Sequence, residues 1–210
     1  MLLCLTILSV FCISGAMSDC PVALKSMLNE NLKTNVENGC GADWQYFARP
    51  SGGWCMKVFA GEKTFADAEK VCNSAGATLS GMQNAVEIDF IQAATLATIS
   101  QSSSSVLIGM KRTDKCLKQK LTATCTAKTS FEWTDGSASG TDGFVFLAGQ
   151  PDNSVGNANC AVLLAASTPT VTAGAVYKAK TLDDVPCTLA PGGTSPRAIR
   201  AFVCGKKASK

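Results

Sequence analysis

Residues 1–13 form an uninterrupted apolar run broken by no charge, and from there on the chain alternates apolar and polar positions over short intervals. The run is too short to span a bilayer and is followed by Ser14-Gly15-Ala16, small residues at cleavage-site positions. This pattern predicts a signal peptide over residues 1–16 and a secreted mature chain. Leu24, Leu28, Leu32 and Val36 then recur every four residues within 17–39. That spacing suits a short amphipathic helix, and a spacer fits it equally. From Cys40 the texture becomes aromatic-bearing short strands, with Trp44, Tyr46 and Phe47, then Trp54 to Phe59.

Two helices are predicted next. Thr64 with Asp67 marks a helix start that runs through Cys72 and stops near Gly76. Asn84 with Glu87 opens a second, through about Ile99, with Val86, Phe90, Ala94 and Ala97 on one face and a serine run at 102–105 breaking it. Beyond that, short strands alternate with Gly/Asp/Asn/Pro turns: Val106–Met110, Ser130–Trp133, Cys160–Leu164 and Ala201–Cys204. The stretch 166–176 reads as a loop or a weak strand. Helices early and strands late, without βαβ alternation, predict an α+β fold.

Composition narrows the chemistry. Of 210 residues 46% are hydrophobic and 17% charged, enough apolar surface for a real core. A net charge of +3 with no long Lys/Arg block gives no case for nucleic acid. There is no histidine, which excludes Ser-His-Asp triads, Cys-His dyads and His-ligated zinc. An enzyme is therefore not expected. Asp183 and Asp184, adjacent on a strand, point to opposite faces and make a poor acid/base couple. Of eleven cysteines, cleavage removes Cys4 and Cys12, leaving a disulfide framework with one cysteine to spare. No thiol pair has zinc-ligand spacing.

In order along the chain, the motifs resemble the C-type lectin-like domain in its long form, from Cys40 to Cys204. Leu107-Ile108-Gly109-Met110 is similar to the family's W-I-G-L strand, and Phe131-Glu132-Trp133-Thr134-Asp135-Gly136 to its W-x-W-x-D-G element. Gln150-Pro151-Asp152 precedes Cys160, and Leu182-Asp183-Asp184-Val185-Pro186-Cys187 is similar to W-N-D-V-x-C. The resemblance divides the chain into a spacer at 17–39, the lectin-like domain at 40–206 and a basic tail at 207–210. It implies disulfides Cys40–Cys55, Cys72–Cys204 and Cys160–Cys187, with Cys116 and Cys125 closing a local hairpin. Cys20 is then left over, available to link two chains into a homodimer, and pairing two weak sites raises avidity by about 10²–10⁴.

The resemblance also implies a site. In sugar-binding members a calcium ion is held by the triplet, the W-N-D strand and a Glu before the third main cysteine, with sugar hydroxyls completing the shell. Gln150, Asp152, Asp183 and Asp184 match ligand and carbohydrate-binding positions, whereas Ala158 stands where the family has Glu. With that ligand missing, Ca²⁺ is expected to bind weakly, at about 10⁻⁴–10⁻³ M. Asp183 replaces an Asn that donates to a sugar hydroxyl, and an ionised carboxylate cannot donate. The loop 153–159 carries no aromatic residue to stack on a sugar. Two functions follow as expectations: weak calcium-dependent carbohydrate binding, or a calcium-independent domain binding a protein or lipid partner. For a small secreted member the family suggests recognition of microbial surfaces in innate immunity. Trp44, Phe131 and Trp133 are expected in the core, Phe144 and Phe146 beneath the long loops, and Lys178, Lys180 and the terminal lysines in solvent.

Overall fold

The computed structural model describes residues 22–172, 174–189 and 191–209. The predicted signal peptide, Cys4, Cys12 and Cys20 lie outside the described residues. Helix α1 is Val22–Glu37, and the hairpin β1 (Gln45–Arg49) and β2 (Gly52–Ala60) follows it. Next come α2 (Phe65–Ser74), β3 (Thr78–Leu79), α3 (Ala85–Thr98) and β4 (Ser103–Arg112). The later strands are β5 (Phe131–Trp133), β6 (Cys160–Ala166), β7 (Thr170–Thr172), β8 (Ala175–Tyr177), β9 (Leu182–Val185) and β10 (Ile199–Lys207).

The main sheet runs β1-β2-β10-β4-β6-β9, with β3 added to β10 and β5 to β4. Its pairings are antiparallel except β10 with β4. Because side chains alternate across a strand, the sheet serves two cores. Trp54, Met56, Val58, Ile108, Met110, Leu163 and Val203 pack with Ile88 and Ile91 of α3 on one face. Cys55, Leu107, Val162, Phe202 and Cys204 pack with Phe65, Ala68 and Cys72 of α2 on the other. Gly109 must be glycine here: a Cβ would collide with the Leu79 carbonyl where β3 crosses β4.

Both α2 and α3 start at their predicted caps. Asn84 Oδ1 accepts from Val86 N at 3.0 Å and Glu87 N at 3.2 Å, and Thr64 Oγ1 accepts from Asp67 N at 3.3 Å. The buried face of α3 differs from the predicted one. Val86 is 65% exposed, while Glu87, Ile88, Ile91 and Thr95 are buried and Phe90 and Ala94 are only partly so. Glu87 is inside because Arg49 donates to both its oxygens, from Nε at 2.8 Å and Nη2 at 2.7 Å. Arg49 Nη1 also holds Asp135 at 2.9 Å, so one buried guanidinium ties β1, α3 and the turn after β5. A pattern read only from apolar residues misses such a position. The serine run does not merely break the helix either: Ser103, Ser104 and Ser105 are buried in β4.

The N-terminal stretch is a helix, but not through a leucine stripe. Leu32 and Val36 are exposed, and contact with the domain comes through buried Asn35, whose Oδ1 accepts from Tyr46 N at 3.0 Å and Gln45 Nε2 at 3.3 Å. The stretch 166–176 contributes most of a two-stranded hairpin, β7 with β8, which closes at Tyr177 opposite Thr170. Among the described residues four disulfides are formed, Cys40–Cys55, Cys72–Cys204, Cys116–Cys125 and Cys160–Cys187, the pairing that the family resemblance implies. Among the described residues no helix is long and apolar enough to cross a membrane.

Candidate functional site

The site sits where β4 ends, beside edge strand β9 and the loop 147–159. Antiparallel register sets Asp183 opposite Val162 and Asp184 opposite Ala161. An aromatic ladder supports it: Trp133 meets Phe144 edge-on at 4.9 Å, Phe144 meets Phe146 at 6.4 Å, and Phe146 meets Phe131 at 5.4 Å. Trp44 and Phe131 are buried as expected, and Trp133 is half-buried with its Nε1 donating to the Gly140 carbonyl.

The Gln150–Pro151 bond is cis. Gln150 Oε1 accepts from Asp152 N at 2.8 Å, and Asp152 Oδ1 accepts from Ser154 N at 2.9 Å. Asp184 Oδ1 accepts from Asp152 N at 3.1 Å and its Oδ2 from Asn153 N at 2.9 Å. The fold thus gathers Gln150, Asp152 and Asp184, with Asp183 next to them on β9.

Two arginines complete the cluster. Arg112 Nη2 donates to Asp184 Oδ2 at 2.5 Å, with both side chains wholly buried. Arg112 Nε donates to the Ala158 carbonyl at 3.0 Å, and the guanidinium lies 4.6 Å over the Phe131 ring. Arg197 Nη2 donates to Asp183 Oδ2 at 2.5 Å and stacks 3.7 Å over Tyr177. Burial pushes the carboxyls of both Asp183 and Asp184 above the usual 3.8, against the pull of Arg197 and Arg112 respectively. Burial likewise pulls the Arg112 guanidinium below its ordinary value, against the charge of Asp184.

As paired here, this donor set falls short of a full calcium shell. Calcium takes six to eight hard oxygens. Here Asp184 carries a guanidinium and two backbone N–H bonds, and Asp183 carries a guanidinium and the Asp184 N–H at 3.0 Å. Ala158, where the family has a carboxylate, is buried and offers its carbonyl to Arg112 instead. Among the described residues no group of three or more His, Cys, Asp or Glu side chains is arranged to hold a metal.

Arg112, Arg197 and Asn153 are site residues that the sequence reading missed. Asn153 adopts φ +47°, a left-handed conformation asparagine tolerates. It is 1% exposed, its Oδ1 takes Ala158 N at 2.9 Å, and its Nδ2 donates to the Gln119 carbonyl at 3.2 Å. The only signal for the arginines is that Arg112 follows the Leu107–Met110 strand by two positions. Nothing local links it to Asp184, 72 residues on. Of the lysines placed in solvent, Lys180 instead pairs with Asp89 at 2.6 Å, and Lys206 lies 4.2 Å over Trp44.

The profile of C-type lectin domain-containing protein 141/158 matches residues 48–207, most of the chain and nearly all of the sheet. The chain belongs to this family. Snaclec bitiscetin subunit alpha of Bitis arietans is 30% identical over 100 residues, 48% of this chain and 66% of that protein. Snaclec A12 of Macrovipera lebetinus is 33% identical over 107 residues, 50% of this chain and 58% of that protein. The matched stretches thus span less than two thirds of both relatives. Among solved structures, C-type lectin CEL-I from Cucumaria echinata superposes with a TM-score of 0.53 at 20% identity, covering 82% of this chain and 100% of that one. The cow C-type carbohydrate-recognition domain of CD23 gives 0.51 at 18% identity, covering 82% and 99%. These likenesses establish the C-type lectin fold.

Proposed function

We propose that this C-type lectin-like protein is a secreted, non-catalytic binding module that engages a protein or lipid partner without calcium. The observation carrying the reading is the pair of guanidinium–carboxylate contacts, Arg112 to Asp184, wholly buried, and Arg197 to Asp183, partly buried. They put two fixed positive charges among Asp152, Asp183 and Asp184, so one formal negative charge remains to attract a cation. In this reading Arg112 holds the loop 147–159 against β9 through the Ala158 carbonyl and Asp184, where sugar-binding members place calcium, and Arg197 neutralises Asp183. Neither Asp183 nor Asp184 is free to serve as an acid or base, which fits a binding role.

A second reading keeps weak calcium-dependent glycan binding through Gln150, Asp152, Asp183 and Asp184. It draws on the partial exposure of Gln150 and Asp152, whose side chains are paired only with their own loop. The thermal midpoint in millimolar Ca²⁺ against chelator separates the two. A ligand at 100 times its Kd adds about 2.7 kcal/mol, a shift of several degrees. The first reading expects no shift. A calcium-dependent rise that vanishes in Asp184→Ala would overturn it and support the calcium site of the second.

A further inference from the structure

Beside the site lies a second feature that the lectin-like fold does not account for. Between Thr113 and Thr129 the chain reads TDKCLKQKLTATCTAKT. Lys115, Lys118, Lys120 and Lys128 against Asp114 give it a formal charge of +3, which equals the net +3 of the whole chain. The rest of the sequence sums to zero, with a second basic stretch at 197–210. All four lysines are exposed, and none of their ammonium groups pairs with a carboxylate in the described residues. Leu117 and Leu121, interleaved with them, are 41% and 40% exposed.

The loop is built to hold this shape. Cys116–Cys125 closes it, and Thr129 Oγ1 donates to the Thr124 carbonyl at 2.7 Å while accepting from Thr126 N at 2.9 Å. The Gln119 carbonyl accepts from Arg112 Nη1 at 3.3 Å and Asn153 Nδ2 at 3.2 Å, which fastens the loop to the candidate site. Lys118 is held at φ +61°, a left-handed conformation uncommon for lysine. A solvated charge run needs neither this bracing nor two leucines set among its lysines.

We infer that the 113–129 loop docks the protein on an anionic lipid surface. Lysines there meet headgroup phosphates and carboxylates, and Leu117 and Leu121 enter the boundary with the acyl chains. A sulfated polymer would use the charge but leave the leucines in water. That distinction favours lipid.

The oxidised, folded protein is sedimented with vesicles of phosphatidylcholine alone and with vesicles containing about 30% phosphatidylserine. Binding is expected on the anionic vesicles only, and it should weaken as salt rises. Lys118→Gln/Lys120→Gln should bind roughly 25-fold more weakly, about fivefold per lysine. Leu117→Ser/Leu121→Ser should also weaken binding. All four side chains are exposed, so an unchanged thermal midpoint certifies the fold of each variant. Absence of binding to the anionic vesicles would overturn the proposal. So would binding that ignores the leucine substitutions and is competed away by dextran sulfate, which would assign the loop to a polyanion.

Discussion

Replacing Arg112 with methionine puts the guanidinium-for-metal argument under direct test. The substitution keeps an apolar chain against Phe131 but removes the Nη2 contact to Asp184 and the Nε contact to the Ala158 carbonyl. Asp184 would keep two backbone N–H donors and lose its counter-charge at a place where its side chain is fully buried. Breaking a buried ion pair from one side costs about 3–5 kcal/mol, most of it the isolated charge left behind. For a domain of this size that is a fall in thermal midpoint of roughly 6–20 °C. Denaturant unfolding with disulfides intact supplies the free energies. Adding Asp184→Asn to Arg112→Met removes the orphaned charge, so the double variant should be more stable than Arg112→Met alone. A cost below about 1 kcal/mol, the range of an exposed pair, would refute the claim that this contact organises the site. No recovery in the double variant would refute the charge argument behind it.

Two smaller effects follow from the helix starts. Asn84→Ala removes the oxygen that serves Val86 N and Glu87 N, and should cost about 1 kcal/mol in denaturant unfolding. The Asp67 carboxyl is held below 3.8 chiefly by the Thr64 hydroxyl, which donates to it at 2.8 Å, and then by Lys70. Its folded value lies below its unfolded one, so its stabilising contribution is present above pH 3.8 and lost as pH falls through the folded value. NMR titration should show the Asp67 midpoint rising toward 3.8 in Thr64→Val, and an unmoved midpoint would remove the hydroxyl as the cause.

What local sequence determined was whatever depends on neighbours in the chain. The caps at Thr64 and Asn84 were legible because the acceptor and the amide it serves lie within three residues. The strands around Ile108 and Val203 were legible because a short apolar run bounded by turn residues is a local pattern, and both faces of these strands are buried. The ordered motifs from Cys40 to Cys204, and with them the fold and the disulfide pairing, were legible through the family resemblance, as were the four oxygen-bearing side chains on the loop and β9. Tertiary structure alone decided what those side chains face. Arg112 meets Asp184, and Arg49 meets Glu87 and Asp135, across separations of 72, 38 and 86 residues. Burial changes what such charges do. In solvent three clustered aspartates read as a cation site, whereas inside the fold a carboxylate without a counter-charge costs several kcal/mol and takes the nearest guanidinium. Whether a partner is a metal or an arginine from elsewhere in the chain depends on where the sheet brings the end of β4, and no local pattern encodes that distance.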